Sequence, residues 1–186
     1  MKRLYGNNAL LKSISRLMNH ITLEMYTKDT ILCLFRSLME TVIESRSTSI
    51  ILMKINNRDN FEGLIKRLQY TSSKVFCYSE AYDLENFSQI KLQTDAINDD
   101  EFIVIIDDRI SSCLYWNENT SEVFGLCQGF CSFNPQDAKQ IADYLQNIAF
   151  SEELKSYLDE VKADRRRNEY FTSVIRKLVS SLESRQ

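Results

Sequence analysis

The hydrophobic period of the chain changes at residue 47, and that change restricts the folds open to it more than any other feature. Before it, "TILCLFRSLMETVIESR" sets Ile31, Leu34, Phe35, Leu38, Val42 and Ile43 on one stripe, the spacing of an amphipathic helix, with Thr27 or Asp29 as its cap. "STSIILMKI", residues 47–55, is β-branched and unbroken, too short for a buried helix and suited to a buried strand. Helical spacing returns in "NRDNFEGLIKRLQY" with Phe61, Leu64, Ile65 and Leu68, capped by Asn57 or Asp59. "KVFCYS", residues 74–79, is then a second strand. Residues 47–79 therefore read as a β-α-β unit, which pairs parallel and right-handed if its strands are neighbours in one sheet.

Residues 80–100 have weak periodicity and a polar end, and an irregular loop is expected there. Three further strands follow at 101–107, 110–116 and 122–133. The first link is very short, at Asp108 and Arg109, and "NENTS" forms the second, so an antiparallel meander is expected. Pro135 opens a helix with Ala138, Ile141, Leu145 and Ile148 facing inward and Asn134 as cap, since proline is tolerated in a first turn where no N–H is needed. Upstream, Leu11, Ile14, Leu17, Met18 and Ile21 predict a helix from Ala9 to about Met25. Downstream of Ser151 no helix breaker occurs. Leu154, Leu158 and Val161 form one apolar seam and Phe171, Ile175, Leu178 and Leu182 another, as in a long helix that either packs on its own domain or dimerises as a coiled coil. The expected fold is α/β (α+β): a mainly antiparallel five-stranded sheet with flanking helices, an N-terminal helical pair and a long C-terminal helix. Residues 1–150 form the α/β domain and 151–186 the helical extension.

Composition narrows the function classes. A net charge of −3 argues against generic attraction to nucleic acid. No run approaches the roughly 20 apolar residues of a membrane span, and the N-terminus lacks the apolar core of a signal peptide, so a cytoplasmic protein is expected. The one histidine, His20, falls in the first predicted helix, which removes triad and multi-histidine metal chemistry. The acidic pairs in "NDDE" (98–101) and at Asp107 and Asp108 could hold magnesium, but they border predicted strands, where such residues also serve as turns. "DRRRNE" (164–169) reads as a solvated helix face. No phosphate-binding glycine loop or nucleophile elbow is present, and no enzyme or metal site is expected.

The five cysteines are odd in number and scattered, as reduced core thiols are. In "GLCQGFCSFNP", Cys127 and Cys131 are four apart. On a strand their α-carbons stand roughly 13 Å apart, and a disulfide needs less than about 7 Å, so neither a bridge nor a shared zinc is expected. Strand alternation puts Val123, Gly125, Cys127, Gly129, Cys131 and Phe133 on one face and Phe124, Leu126, Gln128 and Phe130 on the other. Gly125 and Gly129 leave room on the cysteine face for a closely packed helix or for a small ligand pocket lined by Cys113, Cys127, Cys131 and Trp116.

Three phrases together resemble the DICT sensory domain of bacterial, notably cyanobacterial, signalling proteins, where it occurs beside diguanylate cyclases and two-component proteins. They are "SIILMKINNRDNFEGLIKRLQYTSSKVFCYSE", "EFIVIIDDRISSCLYWNE" and "EVFGLCQGFCSFNPQDAKQIADYLQ", within residues 30–148. The resemblance implies a sensory or protein-interaction module with no catalytic residues to carry over. Without an attached output domain, such a module is expected to sense a small molecule, light-dependent cofactor or redox state and to signal to a protein partner, or through a homodimer, by its C-terminal helix. No cofactor class is specified. The alternatives are a constitutive scaffold that docks a partner through its helices and a thiol redox switch.

Overall fold

The computed structural model describes residues 13, 14, 16, 18, 20–46, 48–56, 59, 61–79, 84–90, 100–107, 109–117, 126–160, 174–178 and 180. Their elements run β1 (Glu24–Thr27), α1 (Lys28–Ser45), β2 (Ile50–Lys54), α2 (Glu62–Leu68), β3 (Lys74–Cys77), β4 (Phe87–Gln89), β5 (Glu101–Ile106), β6 (Ser112–Asn117), β7 (Leu126–Ser132), α3 (Pro135–Ala149) and α4 (Glu152–Glu160). Residues 174–178 are also helical. The strands form one mixed sheet in the order β1-β7-β6-β5-β2-β3-β4. β2, β3 and β4 run parallel to one another, while β2–β5, β5–β6, β6–β7 and β7–β1 are antiparallel.

Helices cover both faces, which explains why the central strands are apolar without alternation: every residue of β2, β5 and β6 is buried. Ile51, Met53, Val75, Ile103, Ile105, Leu114 and Trp116 meet α1 and α2 through Leu34, Phe35, Leu38, Val42, Ile65 and Leu68. Phe35 anchors this layer, its ring 4.1 Å from that of Phe61 and 6.3 Å from that of Trp116. On the opposite face Ile50, Leu52, Phe76, Phe102, Val104, Tyr115 and Phe130 meet Ala138, Ile141, Ala142 and Leu145 of α3 and Leu154 and Leu158 of α4, with Ile14 and Met18 beside them. Burying a side chain such as Leu38 or Ile141 is worth about 1.5–3 kcal/mol.

The β-α-β unit, the antiparallel meander and the caps at Thr27 and Asn134 stand as the sequence predicts: Thr27 accepts from the Thr30 amide and Asn134 from the Gln136 amide. The fold class does not. The sheet is mixed and has seven strands, because β1 spans the junction between the expected end of the first helix and the cap at Thr27, and β4 lies inside the expected loop at 80–100. Both are short strands completed by distant partners, Glu24 against Gly129 and Phe87 against Val75. Local periodicity registers neither. Residues 13, 14 and 16 are helical, but the helix does not extend to Met25, since residues 21–23 have no helical structure. Phe61 rather than Asn57 or Asp59 occupies the N-cap position of α2, and its side chain caps nothing.

The long C-terminal helix is the second correction. α4 lies against α3, with Leu154 and Leu158 at 0% and 3% exposure in the α3-side core. Residues 174–178 belong to the other layer, where Val174 is fully buried and Leu178 partly so among the residues of α1 and α2. The two seams therefore face opposite sides of the sheet and cannot form one coiled-coil stripe. Val161, Phe171 and Leu182 lie outside the described residues.

Candidate functional site

A charged cluster is buried at one end of the sheet, where β2 ends, β5 begins and β6 ends. Lys54, Asp100, Glu101 and Asn117 are exposed by 6% or less. The antiparallel pairing of β5 with both neighbours brings them together, setting Phe102 opposite Lys54 and Glu101 opposite Trp116. The Lys54 ammonium donates to the Asp100 carbonyl at 2.8 Å and to Asn56 Oδ1 at 3.0 Å. Asp100 Oδ1 accepts from the Tyr115 hydroxyl at 2.5 Å and from Asn117 Nδ2 at 2.9 Å. Glu101 points to the other face, where Oε1 accepts from the Asn56 amide at 2.7 Å and Oε2 from Trp116 Nε1 at 2.9 Å.

Charge so far from water persists only when paired and hydrogen-bonded, and charge-assisted bonds of this length are the strong kind. The position also has meaning: the cluster lies where parallel strands β2 and β3 end, and open α/β sheets bind ligands beyond the carboxyl ends of their strands. Beside it stands Tyr78, just past β3, its ring edge-on to Phe102 at 5.4 Å. The Tyr78 hydroxyl is buried without a hydrogen-bond partner, and burial pushes its pKa well up. The cluster offers donors and acceptors of both charge signs, and it contains no serine, threonine or cysteine bonded to an imidazole. Its donors and acceptors bond to one another within the sheet.

Of the residues expected to line a ligand pocket, Trp116 alone joins this cluster. Cys127 and Cys131 share its face of the sheet, on the α1 side, as alternation requires. Cys113 is on the opposite face, so one pocket cannot be lined by all four. Gly125 lies outside the described residues. Gly129 is explained by the neighbouring strand rather than by a helix: a Cβ there would overlap the Tyr115 carbonyl oxygen and stand 3.2 Å from Trp116 Cα. None of the five cysteines forms a disulfide, and four are buried. Burial raises the pKa of Cys113, and it pushes Cys131 up to about 12 with the Glu24 carboxylate adding to the effect. Both favour the unreactive protonated form.

Two further polar groupings serve the frame. Asp137, buried at the start of α3, accepts from Ser132 Oγ at 2.6 Å and Asn134 Nδ2 at 3.1 Å, and lies 3.0 Å from Nε2 of His20, which stands in a turn rather than in the expected helix. Asp107 ties the short β5–β6 link, accepting from Ser49 Oγ and the Arg109 amide. Among the described residues no group of three or more histidine, cysteine, aspartate or glutamate side chains could hold a metal ion. No helix among them is long and apolar enough to cross a membrane.

Asp100 and Glu101 were visible in the sequence as half of "NDDE", but only as turn residues or a magnesium cluster. Lys54 carried one signal, a lysine at the end of an otherwise apolar strand. Comparison with known proteins adds nothing to the site: no family model, no curated protein and no solved structure matches the chain.

Proposed function

We propose that the chain is a non-catalytic, cytoplasmic sensory module of the DICT type, which binds a small polar ligand at the carboxyl end of β2 and β3 and passes its state to a protein partner. The observation that carries the reading is the buried Lys54–Asp100–Glu101 cluster with Tyr115, Trp116 and Asn117 around it. A ligand with hydrogen-bonding groups exchanges its bonds for these internal ones, and because Asp100 faces the α3 layer and Glu101 the α1 layer, a change here reaches both sides of the sheet. Trp116 is the chain's only tryptophan and donates directly to Glu101, so its emission reports occupancy. Native mass spectrometry of the purified protein, with a thermal-shift screen of small polar metabolites followed by Trp116 fluorescence titration, tests this. Saturable binding lost in Lys54→Met supports it. A bare mass and no saturable shift in emission across the screen would sink it.

Signalling by a homodimer through the Leu154 and Leu158 seam is not part of this reading, because those side chains are buried within the chain. The thiol switch is the weaker reading: four of the five cysteines are buried, and burial holds Cys113 and Cys131 in the protonated form.

A further inference from the structure

β1 is an edge of the sheet, and its sequence restricts what can pair with it. In the order β1-β7-β6-β5-β2-β3-β4 it has one strand neighbour among the described residues, β7. An edge strand turns alternate backbone N–H and C=O groups away from its neighbour, ready for another strand, and sheets blunt such edges with charge, proline or a cover. The opposite edge is treated in this way: β4 is three residues long, and Glu153 of α4 reaches Ser88 at 3.1 Å. β1 contains no proline, and its single charged residue, Glu24, is tied along the strand by the Tyr26 hydroxyl at 2.8 Å. Between them Met25 is 49% exposed.

Leu23 packs with the α3-side core and Tyr26 with the α1-side core, so alternation puts Leu23 and Met25 on the α3 face and Glu24 and Tyr26 on the α1 face. A two-fold axis normal to the sheet sets β1 antiparallel to β1 of a second copy and keeps each face on its own side, provided that the axis passes through a residue. Centred on Glu24, the pairing puts two carboxylates opposite each other, which is destabilising. Centred on Tyr26 or Thr27, it requires an extended Lys28, and Lys28 opens α1. Centred on Met25, it has neither fault. Met25 then stands opposite its own copy, Glu24 opposite Tyr26 of the second copy, and Leu23 opposite Thr27, with residues 22 and 23 outside any helix.

We propose that β1 pairs antiparallel with β1 of a second copy, centred on Met25, joining the two sheets edge to edge. The exposed thioether is covered by its own copy, and the outward backbone groups gain partners. About five residues from each copy meet, fewer than the roughly 20–30 a side of a stable interface, so the dimer is transient and forms at high concentration. It uses neither the buried Lys54–Asp100–Glu101 cluster nor the C-terminal helices, and so stands or falls apart from the function proposed above.

Sedimentation velocity of the full chain from about 1 μM to 1 mM should show a dimer fraction that rises with concentration. Met25→Lys sets two ammonium groups opposite each other at the axis. It should weaken association on the order of tenfold and leave the thermal unfolding transition in place. Cross-linking gives a second readout. Residues directly opposite on antiparallel strands have α-carbons about 4.5–5.5 Å apart, within disulfide reach. Mild oxidation should therefore link Met25→Cys into a covalent dimer beyond the wild-type level. Thr27→Cys, whose copies stand roughly 13 Å apart in this register, should not be linked. If Met25→Lys fails to fold, the two cysteine variants decide. A monomer at every concentration, a dimer unchanged in folded Met25→Lys, or equal linking at both positions overturns the proposal.

Discussion

Gly129 has no room for a side chain, because β6 passes too close, and the consequence is measurable. Gly129→Ala forces the Tyr115 carbonyl to move and should destabilise the fold by about 1–3 kcal/mol in urea unfolding, the usual cost of overpacking. Gly129→Leu should abolish folding rather than selectively block a ligand. Glu101 gives a second test at this scale. Its two carboxylate oxygens each accept one N–H, so Glu101→Gln turns an NH2 toward either Trp116 or the Asn56 amide and leaves a donor facing a donor. A loss of about 1–3 kcal/mol, accompanied by a shift in Trp116 emission, is expected. Cys131 provides a pH signature. Its folded pKa lies at about 12 against an ordinary 9.0, raised by burial and by Glu24, so the folded state holds the proton more tightly. That stabilisation is complete below about pH 9 and disappears as pH rises from about 9 towards 12. Cys113 acts in the same direction. Urea midpoints followed across that range should fall less steeply in Cys131→Ser than in the wild type; parallel curves would mean that the thiol is not held as described.

At the scale of elements, α3 shows why some features could be read from the chain and others could not. Its start is written locally: Asn134 caps the Gln136 amide, Pro135 occupies the first turn, and Asn134 also reaches Asp137. Asn134→Ala should therefore cost about 1–2 kcal/mol, checked by thermal unfolding. The strands 50–54, 74–77 and 101–106 were legible for a similar reason, since short, nearly continuous apolar runs of that length have few alternatives. β1 and β4 were not legible. "EMYT" fits a helix end as well as a strand, and only its register against Leu126–Gly129 decides the matter. The split of the C-terminal region between two layers was hidden for the opposite reason: residues 151–186 contain no glycine or proline, so nothing local announces that Leu154 and Leu178 serve different layers. The candidate site shares this limit. Lys54, Asp100, Glu101 and Trp116 are separated in sequence by up to 62 positions and meet only because β5 is antiparallel to both β2 and β6.

For the molecule as a whole, the decisive question is what the C-terminal region contributes. Leu154 and Leu158 lie in the same core as Phe102 and Tyr115. The pair Leu154→Glu with Leu158→Glu should unfold the chain, because it buries two unpaired charges. A folded double variant whose only change is a smaller size in gel filtration would instead restore the coiled-coil dimer. The same double-layered architecture has a temporal side. β1 pairs with β7, although Glu24 and Gly129 are about a hundred residues apart. A ribosome adding about 5–20 residues per second makes β1 roughly 5–20 s before its partner strand exists. For those seconds the nascent chain carries an orphan strand with Met25 and Tyr26 on it, and such long-range pairings are the slow ones to form. The β1 edge is therefore the last part of the sheet to be sealed during synthesis, and it is the point at which a chaperone would have most to protect.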